Sequence, residues 1–140
     1  MKKMNNNGFS LVELIIVIAI MAVLIGVMAP QFLKYVEQSR KSTDISNAQS
    51  IATAIQADIA DGYITTNATG QVVTGSTTKS ITEKPLVRGT VGAVVTPGSD
   101  FTYDCNVATG VVKVYVGGGA YELYPGTDSA KGADVYKKAK

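Results

Sequence analysis

The chain has 140 residues, 46% of them apolar, with a formal charge of +2 at pH 7. That length suits one modest domain plus a membrane segment rather than two domains. Lys2 and Lys3 supply the charge excess; without the first eight residues, 11 basic side chains face 11 acidic ones, so neither nucleic acid nor anionic lipid is indicated as a partner.

The chain opens with a short polar, basic leader, Met1 to Asn7, followed by Gly8-Phe9-Ser10-Leu11-Val12-Glu13. From Leu14 to Ala29 every residue is apolar or Gly. At about 1.5 Å of helix rise per residue, roughly 20 residues cross the hydrocarbon core of a bilayer, and this run has that length. The lysines before it favour a cytoplasmic N-terminus, with the bulk of the chain outside. The leader is too short for an ordinary secretory signal and lacks its separate apolar region, so the apolar run is expected to stay in the mature protein. Glu13 is the anomaly: a carboxylate within a membrane helix costs on the order of 2.5–3.5 kcal/mol and calls for a partner. No Lys or Arg follows Lys3 until Lys34. Cleavage after Gly8 would create a cation in the α-amine of Phe9. Helix geometry makes pairing within one chain awkward, which favours a neighbouring subunit's amine.

Gly8-Phe9-Ser10-Leu11-Val12-Glu13-Leu14, the apolar run and Pro30 together resemble the class III signal peptide and N-terminal helix of the type IV pilins and pseudopilins, over about Lys2 to Asp61. The resemblance implies a short type IVa-like leader cut by a prepilin peptidase after Gly8, methylation of Phe9, and an assembly role for Phe9 and Glu13. Pro30 falls where the family often carries a helix-kinking Pro. Ala22 stands where a Gly is often found, and Gly26 comes later. Many pilins staple a C-terminal loop with a disulfide. Cys105 is the only cysteine here, so no intrachain disulfide can form and the chain is similar to the cysteine-poor members. A buried, inert thiol is the ordinary state for such a residue.

Pro30 removes one backbone hydrogen bond and crowds the preceding turn, so a kink or local melting is expected there. Beyond it Phe32, Leu33 and Val36 form a first apolar stripe, and Ala48, Ile51, Ala52, Ile55 and Ile59 recur at helical spacing. Glu37, Arg40, Lys41 and Asp44 between them read as solvated helix surface, with Glu37–Arg40 and Glu37–Lys41 pairs worth a few tenths of a kcal/mol. Gly62 is a stop signal. One long helix from about Phe9 to Asp61 results.

Tyr63 to Thr82, rich in Thr, Gly and Ser, reads as an irregular connection with a short strand at Gln71–Thr74. Asn67-Ala68-Thr69 matches an N-glycosylation triplet, which arises readily by chance in Thr-rich loops. Lys84 to Val95 leads into a sheet and ends at the turn Pro97-Gly98. Phe101, Tyr103 and Cys105 alternate with Thr102, Asp104 and Asn106, a strand with one buried face. A turn at Val107–Gly110 with Gly available for positive φ leads to a strand at Val111–Val116. Gly117–Gly119 form a turn, Ala120–Tyr124 a further strand closed by Pro125-Gly126, and Lys131–Lys140 a loosely held polar tail. The tyrosines read as packing residues rather than a ligand platform.

The fold expected is α+β and pilin-like: a long N-terminal helix kinked near Pro30, packed by its C-terminal half on a small antiparallel sheet of about three to four strands. The divisions are residues 1–8 (leader), 9–29 (membrane and filament-core half), 30–61 (amphipathic half) and 62–140 (globular domain).

Enzyme chemistry is not indicated. The chain has no His, the commonest general base and metal ligand at neutral pH, and nothing to activate Cys105. Gly117-Gly118-Gly119 lacks the Lys and Ser/Thr of a phosphate loop. Asp100, Asp104 and Asp128 do not have the spacing of a calcium loop. No catalytic residue, metal site or cofactor is implied. Three functions remain. The first is a pilus subunit that polymerises through its helix into a surface filament for motility, adhesion or aggregation. The second is a pseudopilin of a type II secretion or competence DNA-uptake system. The third is a membrane-anchored binding domain that never polymerises, against which the Gly8–Phe9 junction and Glu13 argue, since a simple anchor needs neither. For the first, the resemblance implies other copies of the chain, the prepilin peptidase, the pilus assembly platform with its ATPase, and minor pilins as partners. It places the protein in the cytoplasmic membrane before assembly and in an extracellular filament after it.

Overall fold

A computed structural model describes residues 8–91, 95–127, 132 and 136. The chain contains two compact units, Met1–Val36 and Glu37–Lys140. A single helix, α1 (Leu11–Ala60), contributes to both. It stays helical through Pro30, so the local melting expected there is not seen. Loss of one N–H leaves the hydrogen bonds of the turns on either side to hold the helix. Hydroxyls within its polar stretch return their protons to the backbone one turn earlier: Thr43 Oγ1 donates to the Ser39 carbonyl and Thr53 Oγ1 to that of Gln49. Gly62 ends the helix at φ 71°. Tyr63 N–H donates to the Asp58 carbonyl at 2.8 Å and Gly62 N–H to that of Ile59 at 3.1 Å, the paired bonds of a Schellman cap.

In the second unit a four-stranded antiparallel sheet, β1 (Ala68–Val72), β2 (Phe101–Asn106), β3 (Val111–Val116) and β4 (Tyr121–Tyr124), runs in chain order. The hairpin β2–β3 pairs without a register shift from Phe101↔Val116 to Asn106↔Val111, turning at Gly110 with φ 68°. The buried face of α1 carries Ala48, Ile51, Ala52 and Ile55, the stripe read from the sequence, and meets Phe101, Val112, Val114 and Val116 in one core. Phe32, Leu33 and Val36, the first stripe, lie in the other unit; Phe32 and Leu33 are about two-thirds exposed and Val36 is partly buried. Cys105 is buried, as its type favours.

Strand β1 starts three residues earlier than the sequence indicates. Its pairing with β2 is irregular between Ala68 and Gln71, and Gly70 sits at φ 63° within the irregularity. Such a bulge leaves an N–H outside the ladder. The Gly70 N–H goes to Oδ1 of Asp104 at 2.7 Å instead. Further on, Val73 N–H still donates to the Phe101 carbonyl. The turn Thr96–Ser99 closes with Gly98 at φ 87°, the position where a type II turn needs glycine.

The helix charges require a correction. Arg40 is exposed and lies 3.8 Å from Glu37, as surface pairing predicts. Lys41 and Asp44, however, are buried at 3% and 0% exposure. Asp44 accepts from the backbone N–H groups of Arg88 (2.8 Å) and Gly89 (2.6 Å) and from the Tyr136 hydroxyl (2.8 Å). Glu37 accepts from Thr90 N–H, and buried Asp58 from Lys79 N–H at 2.7 Å. Lys79 to Thr90 lies outside the named strands, so much of its backbone has no ladder partner. The carboxylates of α1 satisfy several of those donors, which would otherwise be costly to bury.

Tyr136 corrects the tail as well: it is fully buried and packs on Tyr121 with ring centroids 5.8 Å apart. Its ring also lies under the Lys41 ammonium, 5.6 Å from the centroid. Burial, the hydrogen bond to Asp44, and the charges of Asp44 and Glu37 push its phenol well above the ordinary value. Apart from Gly132 and Tyr136, the expected polar tail lies outside the described residues.

Candidate processing and assembly site

The sequence-indicated site lies at the start of α1. Gly8 is exposed, with open space around it, and Phe9 is 93% exposed. The helix opens with Leu14 N–H donating to the Ser10 carbonyl at 3.2 Å. Ser10 N–H donates back to Glu13 Oε2 at 2.8 Å. Ser10 and Glu13 are spaced as in a capping box, and this bond is its acidic half. The Ser-x-x-Glu spacing was readable from the sequence, where the cost of the carboxylate in lipid drew attention to a partner in another subunit instead. The structure shows that Glu13 folds back onto its own first turn, one residue from Phe9. Ser10 stands at the helix boundary, so the spacing of an uninterrupted helix does not govern its reach.

From Leu11 to Tyr35 every residue of α1 is exposed. The large apolar side chains between Leu14 and Met28 are each about half to two-thirds accessible. This is the one helix among the described residues long and apolar enough to cross a membrane. An uninterrupted apolar surface of this kind is stable only in lipid or against other protein.

Of the three aspartates weighed for a cation, Asp100 pairs with Lys84 at 2.8 Å and Asp104 holds Gly70, while Asp128 lies outside the described residues. No cluster of three or more metal-ligating side chains occurs among the described residues. Asn67 of the glycosylation triplet uses its Oδ1 to accept from Val107 N–H at 2.8 Å, fastening the start of β1 to the β2–β3 turn.

Residues 3–29 match the family model described as the prokaryotic N-terminal methylation motif. The chain carries the prokaryotic N-terminal methylation motif. The chain is 30% identical over 91 residues to a type IV major fimbrial protein FimA of Dichelobacter nodosus, covering 65% of this chain and 56% of that protein. It is 36% identical over 76 residues to prepilin peptidase-dependent protein A of Clostridium perfringens, covering 54% of each. The pilin-like chain thus spans little more than half the length of these relatives. No solved structure gives a significant match. The long N-terminal helix and four-stranded antiparallel sheet form an α+β, pilin-like arrangement.

Proposed function

We propose that this chain is the structural subunit of a type IV pilus. It is held in the cytoplasmic membrane by α1 with its N-terminus inside, cut after Gly8 by a prepilin peptidase and methylated on Phe9. It then polymerises with copies of itself into an extracellular filament. The observation that carries this reading is the exposed apolar face of α1 beginning at a Gly–Phe junction with Glu13 one turn in. Burying a Leu, Ile or Val side chain stabilises by about 1.5–3 kcal/mol, so stacking such helices supplies a large driving force for assembly. The names of the relatives support both halves: one is a fimbrial subunit and the other depends on a prepilin peptidase.

In this reading residues 1–8 are removed, 9–29 cross the membrane and then enter the filament core, 30–61 form the amphipathic half of the helix and 62–140 the globular domain. An assembly platform with its ATPase and minor pilins complete the partners. Glu13 has two acceptor roles, capping its own helix before assembly and meeting the methylated amine of Phe9 of a neighbour within the filament. Pro30, which lacks the N–H that would reach the Gly26 carbonyl, is the point at which α1 bends most easily.

Intact mass spectrometry of sheared surface filaments tests the proposal. A dominant chain beginning at methylated Phe9 supports a pilus subunit. Processed chain held in the membrane and absent from filaments assigns it to a pseudopilin of a secretion or DNA-uptake machine. An uncut chain beginning at Met1 overturns both.

A further inference from the structure

Within the second unit, α1 is held in two chemically different ways. From Ala48 onward the contact is apolar: Ala48, Ile51, Ala52 and Ile55 are at most 3% exposed. Before Ala48 no apolar side chain of the helix is fully buried. The buried residues of that stretch are Lys41 and Asp44, and Ile45 is half-buried. The first turns of the helix in this unit therefore depend chiefly on polar contacts.

The donors that meet those turns are fixed without the help of α1. Three consecutive backbone N–H groups face it: Arg88 and Gly89 donate to the two oxygens of Asp44, and Thr90 donates to Glu37. On one side of them Val87 N–H donates to the Ser99 carbonyl at 2.9 Å, and Gly98 N–H to that of Val87 at 2.7 Å. On the other side Val91 and Val95 exchange hydrogen bonds of 2.9 and 3.2 Å. The Tyr136 hydroxyl is a further donor to Asp44, and its ring rests on Tyr121 of β4. Gly89 has no room for a Cβ between Lys41, Asp44 and Tyr136, so its backbone comes directly against the carboxylate. Residues 88–90 and Tyr136 thus form a preformed socket of donors, into which the helix inserts Glu37 and Asp44.

We propose that this socket is a latch: Glu37 and Asp44 leave it together while the apolar core stays closed, and the freed turns from Glu37 to Asn47 act as a hinge. Water can replace every hydrogen bond of the socket once it opens, whereas nothing replaces the apolar contacts of Ile51 and Ile55. A half-open socket would leave buried donors and a buried carboxylate unmatched, so its bonds break as a set. Local openings of this kind take place well below the free energy of global unfolding. With the latch closed the second unit begins at Glu37; with it open, the packed part of the helix begins at Ala48. The inference concerns the second unit alone and does not rest on the filament reading.

Native-state hydrogen exchange on isotope-labelled full-length chain in micelles, followed amide by amide under conditions where reclosing outpaces exchange, tests the latch. The N–H groups of Arg88, Gly89 and Thr90 should be less protected than those of the β2–β3 ladder. Tyr136→Phe, which removes one donor and keeps the ring, should speed their exchange by about tenfold or more. The deciding variant is Val114→Ala, a fully buried position that makes none of the socket's bonds. It weakens the closed and the latch-open states alike, so it should speed exchange of the ladder and leave Arg88, Gly89 and Thr90 unchanged. Ile55→Val, a milder core change, takes its place if Val114→Ala does not fold. Equal protection of the two sets, equal acceleration of both by the core variant, or rates at residues 88–90 unmoved by Tyr136→Phe overturns the proposal.

Discussion

The hydroxyl of Tyr136 donates to Oδ2 of Asp44 at 2.8 Å, joining residues 92 positions apart. Both side chains are fully buried. The same oxygen accepts from Gly89 N–H, so helix, connection and C-terminal segment converge on one carboxylate. A chain with a single cysteine thereby fastens its C-terminal segment without a covalent bond.

Tyr136→Phe should remove that bond while keeping the ring packing. A hydrogen bond to a charged group contributes about 1.5–3 kcal/mol, which in a domain of roughly 100 residues lowers Tm by several degrees per kcal/mol. Asp44→Ala should cost more, since it leaves the N–H groups of Arg88 and Gly89 without their acceptor. Thermal unfolding of the full chain in micelles measures both; equal Tm values for the wild type and Tyr136→Phe would remove the bond from the list of stabilising contacts.

Alkaline pH should act through the same residue. The folded-state pKa of Tyr136 lies above its unfolded value of 10.0. Its contribution is therefore complete below pH 10 and is lost as pH rises beyond it, when the unfolded chain ionises and the folded one does not. The expected slope is at most about 1.4 kcal/mol per pH unit for one proton. Denaturant unfolding between pH 9 and about 11 should show wild type losing its advantage over Tyr136→Phe. A difference between the two that stays constant with pH contradicts this.

Gly89→Ala should destabilise the second unit. A Cβ there would stand 2.7 Å from Lys41 Cγ and closer still to the Tyr136 hydroxyl. Overpacking of a tight site costs typically about 1–3 kcal/mol. The clash needs the tyrosine, so Gly89→Ala should cost less in a Tyr136→Ala background. A double-mutant cycle on unfolding free energies reads that coupling, and strict additivity would show that the contact is relieved elsewhere.

Glu13 separates capping from charge. Glu13→Gln keeps an acceptor for Ser10 N–H but removes the carboxylate, whereas Glu13→Ala removes both. Membrane insertion and cleavage should survive both changes, while filament yield should fall in both, because the proposed pairing with a neighbour's amine requires the charge. Normal yield from Glu13→Gln would leave Glu13 as a helix cap only.

Much of this was local and therefore legible in the sequence. The Gly8–Glu13 motif, the apolar run, the glycine that ends α1 and the alternation of β2 and β3 each depend on residues a few positions apart. What escaped reading had distant partners. Lys41, Asp44 and Asp58 fall on the same helical face as Ala48, Ile51 and Ile55, but charge made Lys41 and Asp44 look solvated and nothing local marked Asp58. The backbone N–H groups arriving from residues 79, 88 and 89, together with the Tyr136 hydroxyl, make burial of the two aspartates tolerable. Strand β1 likewise depended on Asp104, 34 residues from the Gly70 N–H it receives, and Tyr136 looked like part of a loose tail until Asp44 was beside it.

By itself the sequence determined the long helix, its apolar half and the motif at its start, because period, length and spacing are properties of neighbouring residues. Which charges the protein buries, where the sheet begins and what holds the C-terminal segment were decided by the tertiary structure. A polar group is stable in the interior only when the chain brings its partner there.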